Sequence, residues 1–310
     1  MSVLVAGASG LAGSAIVAAF ESQGYEVIQV NRVVVDLLDL AATRDFLKTV
    51  KPELVVDSAA RVGGIGTNNS HPVEFLVDNI RIQNNLMQAA HEANVERFLF
   101  LGSSCIYPRD CAQPIKEEYL LTGPLEATNS AYAIAKIAGI ELVNSYRKEH
   151  GRKWISLMPT NLYGPGDNFD LQASHVLPAF IRRFVEATET DAPSVTLWGS
   201  GSPFREFLHV DDLAKAVVMT SQKYDSSMHL NIGTGEDLTI RDLALMVANL
   251  SGFKGEIIWD ISKPDGTPRK TLDVSRIKAL GWKPTITLSD GIESTIAWYK
   301  SASASGEARK

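Results

Sequence analysis

Apolar and polar positions run along this chain in two rhythms. Short, almost continuously apolar runs stand at Val3–Ala6, Tyr25–Val30, Leu54–Asp57, Arg97–Leu101 and Trp154–Met158. Between them lie longer stretches whose apolar positions recur every three to four residues. The first rhythm predicts strands buried on both faces and the second predicts amphipathic helices. Helices are expected from the glycine-rich turn to Phe20, from about Ala41, over Pro72–Asn94 and over Ser130–His150. Strand and helix in alternation predict an α/β fold: a Rossmann-like doubly wound parallel sheet covered on both faces.

After Met158 the alternation stops. Gly, Pro, Asn and aromatic residues become dense from Pro159 to Phe169, and basic residues appear at Arg182, Arg183 and Arg205. This predicts a smaller substrate-binding domain laid across the crevice of the sheet. The expected division is a cofactor domain over 1–165 that takes the chain back at about 205–235. Residues 166–204 and 236–300 mainly form the substrate domain, and the small, polar stretch 301–310 forms a flexible tail. Phe207–Asp212 opens a helix with Asp211 or Asp212 as its N-cap. His229–Ile232 reads as a strand, Ile240–Leu250 as a helix, Glu256–Asp260 as a strand, and Pro264–Lys270 as a basic, turn-rich loop.

Composition narrows the function classes. The 310 residues are 45% hydrophobic with a formal net charge of -6, enough for a large core. No Lys/Arg block exists, so neither nucleic acid nor an acidic membrane has an electrostatic footprint here. The two cysteines, Cys105 and Cys111, form neither a disulfide framework nor a metal-ligand spacing. No metal is expected. The chain starts straight into a strand and holds no apolar run near the ~20 residues of a membrane span, so a cytoplasmic, untargeted protein is expected.

The candidate chemistry begins at Gly7-Ala8-Ser9-Gly10-Leu11-Ala12-Gly13, a strand-to-helix turn with the spacing G-x-x-G-x-x-G. Such glycines permit a tight turn, close approach of backbone to a pyrophosphate, and close packing of helix on strand. At the end of the second strand, where NAD-binding units carry an acidic residue for the ribose, the chain reads Asn31-Arg32. A guanidinium without a carboxylate favours the 2′-phosphate of NADP. Asp36 and Asp39 either contact the adenine end or cap the next helix. The small residues from Ser58 to Gly66 suit close passage beside a cofactor.

Gly102-Ser103-Ser104-Cys105-Ile106-Tyr107-Pro108 places a hydroxyl and a thiol at the end of the fourth strand. Downstream, Tyr132 and Lys136 are four residues apart and share a helix face. An ammonium beside a phenol is expected to lower its pKa toward a usable range for proton donation. Ser103, Tyr132 and Lys136 together are what carbonyl reduction by a nicotinamide needs.

The glycine turn and the Ser103, Tyr132, Lys136 set resemble the extended short-chain dehydrogenase/reductases. Ala59–Ile65, Gly102–Pro108, Ala133–Ile140, Met158–Pro165, Ser174–Val176, Arg205–Asp212 and Lys263–Lys270 resemble, within that group, the epimerase-reductases acting on GDP-4-keto-6-deoxymannose. The resemblance implies inversion at C3 and C5, then NADP(H)-dependent reduction at C4, giving GDP-L-fucose. It implies that Cys105 and His175 are the acid/base pair of the inversions, their direction left open. It gives Gly7, Ser9, Gly10, Leu11, Gly13, Arg32, Asp36, Lys136 and His175 to the cofactor, and Asn161, Arg183, Trp198, Arg205 and Lys270 to a GDP-sugar. A homodimer through the helices at 72–94 and 130–150 is also implied. Two departures stand out: Ser9 where some members carry a cofactor-binding Arg, and Arg61 in place of a more usual Lys. The alternatives are a nucleotide-sugar 4-epimerase with tightly bound NAD and a non-catalytic dinucleotide sensor.

Overall fold

The computed structural model describes residues 1–263 and 265–309, so Pro264 and Lys310, at the ends of the predicted loop and tail, lie outside the described residues. The first half alternates as β1 (Ser2–Ala6), α1 (Leu11–Ser22), β2 (Glu26–Val30), α2 (Leu40–Val50), β3 (Leu54–Asp57), α3 (Ile65–Ser70), α4 (Pro72–Glu92), β4 (Arg97–Leu101), α5 (Ser130–His150) and β5 (Ile155–Pro159). Then come β6 (Asn161–Tyr163), α6 (Val176–Glu189), β7 (Ser194–Trp198), β8 (Phe204–Arg205), β9 (Phe207–His209), α7 (Val210–Lys223) and β10 (Leu230–Ile232). The chain ends with β11 (Leu238–Thr239), α8 (Ile240–Ser251), β12 (Glu256–Asp260), β13 (Arg269–Lys270), α9 (Ser275–Ala279) and α10 (Leu288–Ser305).

Six strands form one parallel sheet in the order β10-β5-β4-β3-β1-β2. The order reverses between β1 and β3. In open α/β sheets, the carboxyl ends of strands at such a switch point leave a crevice for a ligand. Every residue of β3 is buried, and β1 and β4 are buried except at their first residues, as two-sided burial by helices demands.

Two apolar cores result. One surrounds the sheet and includes α7, together with Leu272, Val274, Ile277 and Trp282 from near the C-terminus. The other joins α6, α8 and α10 through Phe180, Phe184, Leu243, Val247, Ile292 and Tyr299. Outside the large sheet, β8 lies between β11 and β13, while β6 pairs with β9. Leu272–Trp282 therefore packs beneath the first core, although the sequence reading left that stretch with the second.

Three local readings change. The N-cap of α7 is His209, whose Nδ1 accepts from Asp211 N at 3.2 Å, and neither Asp211 nor Asp212. Asp212 is instead buried, accepting from Thr285 N and Ile286 N at 2.8 Å each. The 301–310 stretch is ordered as far as it is described: α10 runs to Ser305, and Phe169 N donates to Arg309 O at 2.8 Å.

Helix α5 lies close to the sheet because Gly139 carries no side chain. A Cβ there would stand 2.6 Å from Phe100 Cε1, closer still to Phe100 Cζ, and 3.1 Å from Gln83 Cδ on α4. Gly139→Ala gains up to ~1 kcal/mol of helix propensity, but overpacking against a buried ring costs about 1–3 kcal/mol. A net destabilisation of roughly 1–2 kcal/mol is expected, read as a lower urea midpoint at unchanged slope. An unchanged or higher midpoint would show that the ring yields freely.

Candidate active site

At the switch point, Gly7 turns the chain out of β1 with φ +78 and lies against the Ser58-Ala59 backbone, which a Cβ would meet at 2.9 Å. A Cβ on Gly13 would overlap the Gly7 carbonyl. Gly10 is the N-cap of α1 without a side-chain cap, and no acidic residue stands in the first turn. The first amides of α1 therefore face the crevice unopposed by negative charge, which suits a phosphate. Ser9 is exposed and Leu11 half-buried at this turn. Arg32, just past β2, is exposed and has no ion-pair or hydrogen-bond partner among the described residues. Of the two carboxylates beyond it, Asp39 caps α2, accepting from Ala41 N at 2.8 Å and Ala42 N at 3.1 Å. Asp36 closes a turn by accepting from Leu38 N at 3.0 Å.

A second group gathers at the end of β4. Ser103 N-caps the short 3₁₀ turn Ser104–Ile106, its Oγ accepting from Cys105 N at 3.2 Å. The same hydroxyl favours the ionised forms of both the Cys105 thiol and the Tyr132 phenol. Lys136 is buried, donates from Nζ to Leu101 O at 2.8 Å, and sits 4.7 Å above the Phe100 ring centroid. Burial lowers its pKa to about 8, against the pull of the Asp57 carboxylate. The Tyr132 phenol is pushed above its ordinary range by burial and then by the charge of Cys105, with the Ser103 hydrogen bond opposing. The expected lowering by Lys136 is absent: its ammonium lies 6.0 Å from the Tyr132 ring centroid and its hydrogen bond goes to Leu101.

The cations of this site come from the distant C-terminal half, and strand register sets their places. Strand β13 runs parallel to β8 with Lys270 opposite Arg205. Lys270 Nζ donates to Cys105 Sγ at 3.2 Å. Burial pushes the Cys105 pKa up, yet the Lys270 charge, hydrogen bonds from Ser103 and Lys270, and the Arg205 charge together hold the thiol below its ordinary value. His175, the N-cap residue of α6, is held below its usual pKa by surrounding protein and by the Lys270 charge, although its surface remains exposed. Cys105 and His175 thus share one cation. Arg205 is itself lowered by burial, with Cys105 and Asp265 opposing.

The remaining predicted residues fall less centrally. Asn161 donates from Nδ2 to Glu206 O at 2.7 Å. Arg183 is half-buried with no partner among the described residues. Trp198 is 61% exposed, with Lys263 Nζ 5.7 Å from its ring centroid. Arg61 is tied to Asp78 at 2.8 Å and to Glu74, so its charge is matched on α4. Gly64 serves a different contact from the one expected of the small-residue run. Its N–H donates to Ala173 O at 2.9 Å and its missing Cβ makes room for the Ser174 carbonyl, which docks the loop carrying His175.

Comparison with known proteins identifies the family. The profile of the NAD dependent epimerase/dehydratase family matches residues 3–233. The chain belongs to that family. Within the NAD dependent epimerase/dehydratase family, it is 50% identical over 298 residues to GDP-L-fucose synthase 1 of Arabidopsis thaliana, covering 96% of this chain and 92% of that protein. It is 48% identical over 307 residues to GDP-L-fucose synthase of Escherichia coli K12, covering 96% of each. The crystal structure of a GDP-L-fucose synthetase from Naegleria fowleri bound to NADP superposes with a TM-score of 0.89 at 28% identity, covering 100% of this chain and 96% of that one.

Two buried carboxylates of this epimerase/dehydratase family member were passed over in the sequence. Glu206, fully buried, accepts from Leu272 N and Gly235 N at 2.8 Å each, pinning the corner between Arg205 and β9. Asp57, also fully buried, closes β3 beneath the crevice. The available signal was Asp57 itself, an acidic residue ending an otherwise apolar strand. Lys270→Met is expected to raise the midpoint of Cys105 alkylation against pH by ~1 unit, because the nearest opposing charge is removed. An unmoved midpoint would mean that Lys270 does not set the thiol's ionisation.

Proposed function

We propose that this chain is a bifunctional epimerase-reductase that converts GDP-4-dehydro-6-deoxy-D-mannose to GDP-L-fucose, inverting C3 and C5 before an NADPH-dependent reduction at C4. One observation carries the reading: the turn that holds the Ser103 hydroxyl also holds the Cys105 thiol, bonded by the Lys270 ammonium, so that a thiol suited to inversion and a phenol suited to reduction act on each other at one site. The names of the relatives, and NADP in the Naegleria fowleri structure, support the substrate and cofactor.

The carbons on either side of a ketone lose protons readily because the resulting charge spreads onto the carbonyl oxygen. Inversion then needs a base on one face and an acid on the other. Cys105, held toward its thiolate by Lys270, takes the base role, and His175 returns a proton from the opposite face. Ser103 and Tyr132 donate hydrogen bonds to the oxygen as it gains charge, and Tyr132 gives it a proton during reduction. A dinucleotide fits the bare cradle of Gly7, Gly10 and Gly13, with Ser9 and Leu11 at its turn, Arg32 and Asp36 at the adenine end, and Lys136 and His175 at the reacting end. When bound, its nicotinamide supplies the hydride.

Arg205 and Lys270, side by side in register, suit the diphosphate of the GDP-sugar, with Arg183, Asn161 and Trp198 completing the pocket. The division of labour is 1–165 with 205–235 for the cofactor and mainly 166–204 with 236–300 for the sugar nucleotide, with Leu272–Trp282 packed in the core of the first. A homodimer belongs to the same proposal, supported by Val73, Val77 and Ile80 exposed along α4 and Ile134 on α5. So does a reducing, cytoplasmic setting, in keeping with two unpaired cysteines. Among the described residues no helix is long and apolar enough to cross a membrane.

With GDP-4-dehydro-6-deoxy-D-mannose, NADPH absorbance should fall and NADH should be used poorly. Consumption of neither would overturn the reading, and a clear NADH preference would overturn the role of Arg32. Tyr132→Phe should lower turnover by ~10²–10³. Cys105→Ser should stop incorporation of solvent deuterium at C3 and C5; exchange at the wild-type rate would remove the thiol from the mechanism.

A further inference from the structure

Asp57 is a fully buried carboxylate on the central, otherwise apolar strand β3. In register it lies between Ala6 on β1 and Phe100 on β4. Its Oδ1 accepts from Ala59 N at 3.2 Å, while Oδ2 is buried and has no hydrogen-bond partner among the described residues. A carboxylate in that condition is costly unless a cation answers it. The cation at hand is Lys136, whose ammonium stands over the same Phe100 ring that flanks Asp57.

We propose that Asp57 is a positioning residue for Lys136: its buried, unpartnered carboxylate oxygen is the counter-ion that keeps the lysine charged and aimed beneath the reacting end of the cofactor. This deepens the reaction proposed above and rests on it for its catalytic meaning. Among the described residues, Lys136 is the charge that acts on Asp57 and Asp57 the charge that acts on Lys136. Around Asp57, β1 offers Ala6, β4 offers Phe100, and the turn after β3 offers only the Ala59 amide. Around Lys136, β4 offers the Leu101 carbonyl and the Phe100 ring, and its own helix offers Tyr132, with Cys105 beyond.

The charges of the two groups agree with this placement. Burial lifts Asp57 to about 6 while Lys136 pulls it down, and burial drops Lys136 to about 8 while Asp57 pulls it up. Each group is discharged by its surroundings and recharged by the other. The pair is ionised between those two values, which brackets neutrality. Below the window Asp57 gains a proton, and above it Lys136 loses one.

The test reads the lysine directly. In protein with carbon-13 at lysine Cε and aspartate Cγ, the Lys136 resonance is followed against pH without substrate or cofactor. Asp57→Asn, nearly isosteric, should lower the Lys136 midpoint by about one unit. The alkaline limb of NADPH oxidation should move down with it, whereas a purely structural aspartate would lower the melting temperature and leave both midpoints in place. Unmoved midpoints overturn the proposal. Should that variant fail to fold, Lys136→Met serves: the Asp57 carboxyl midpoint should rise, and an unchanged value overturns the pairing. The titrations need no turnover, so failure of the GDP-sugar reaction is told apart from failure of the pair.

Discussion

The contact between Lys270 Nζ and Cys105 Sγ, at 3.2 Å, joins what the two halves of the chain contribute. The thiol rides on the turn that ends β4, at the edge of the sheet core. The ammonium arrives from a strand of two residues near the C-terminus. So short a strand holds its register only if its neighbours are fixed. Glu206 provides that: its carboxylate binds Leu272 N just after β13 and Gly235 N just before β11, and so clamps both flanks of β8. Ile115 and Asn231 continue the brace, with Ile115 N donating to Thr271 O and Asn231 Nδ2 to Asp273 O. The site's charge balance is therefore built into backbone hydrogen bonds well outside it.

Burial is what gives these few charges their leverage. Desolvation is the largest influence on Lys136, Asp57, Tyr132, Cys105, His175 and Arg205 alike. In a low-dielectric cleft a partner within a few ångströms acts several times more strongly than in water. For Cys105 the surrounding cations win and the thiol falls below its ordinary value, while for Tyr132 no cation is near enough and the phenol rises. Two groups beside one serine hydroxyl thus move in opposite directions. The same crevice eases ionisation of a thiol and keeps a phenol protonated, the combination that proton removal and proton donation demand.

Much of this was legible in the residues. The continuous apolar runs and the period-3.6 pattern placed β3, β4 and α5 to within a residue, because strands buried on both faces and a long amphipathic helix leave strong signals. What failed to show were features set by tertiary neighbours. His209 displaced Asp211 and Asp212 as the cap of α7 because a short strand runs straight into the helix and Asp212 is needed by the backbone of Thr285 and Ile286. The small, polar 301–305 stretch stays helical because Tyr299 and Ala302 are anchored in buried surroundings. Four-residue spacing correctly put Tyr132 and Lys136 on one face, but it said nothing about Leu101 O, which takes the ammonium's hydrogen bond. Lys270 and Cys105, in contact at the site, are separated by 165 residues of chain, and the β8–β13 register with the bridge from Ile115 to Leu272 brings them together.

The shared cation also orders the chemistry. Lys270 depresses both Cys105 and His175, favouring the thiolate and the neutral imidazole. That direction suits a base and works against an acid. On the proposed reading, a diphosphate entering beside Arg205 and Lys270 brings negative charge that offsets the ammonium. The imidazole then regains its affinity for a proton, while the thiol keeps the direct Lys270 and Ser103 hydrogen bonds that the imidazole lacks. Binding would thus arm the acid without disarming the base. The substrate's own phosphates, remote from the carbons that react, set the protonation state in which those carbons can be inverted.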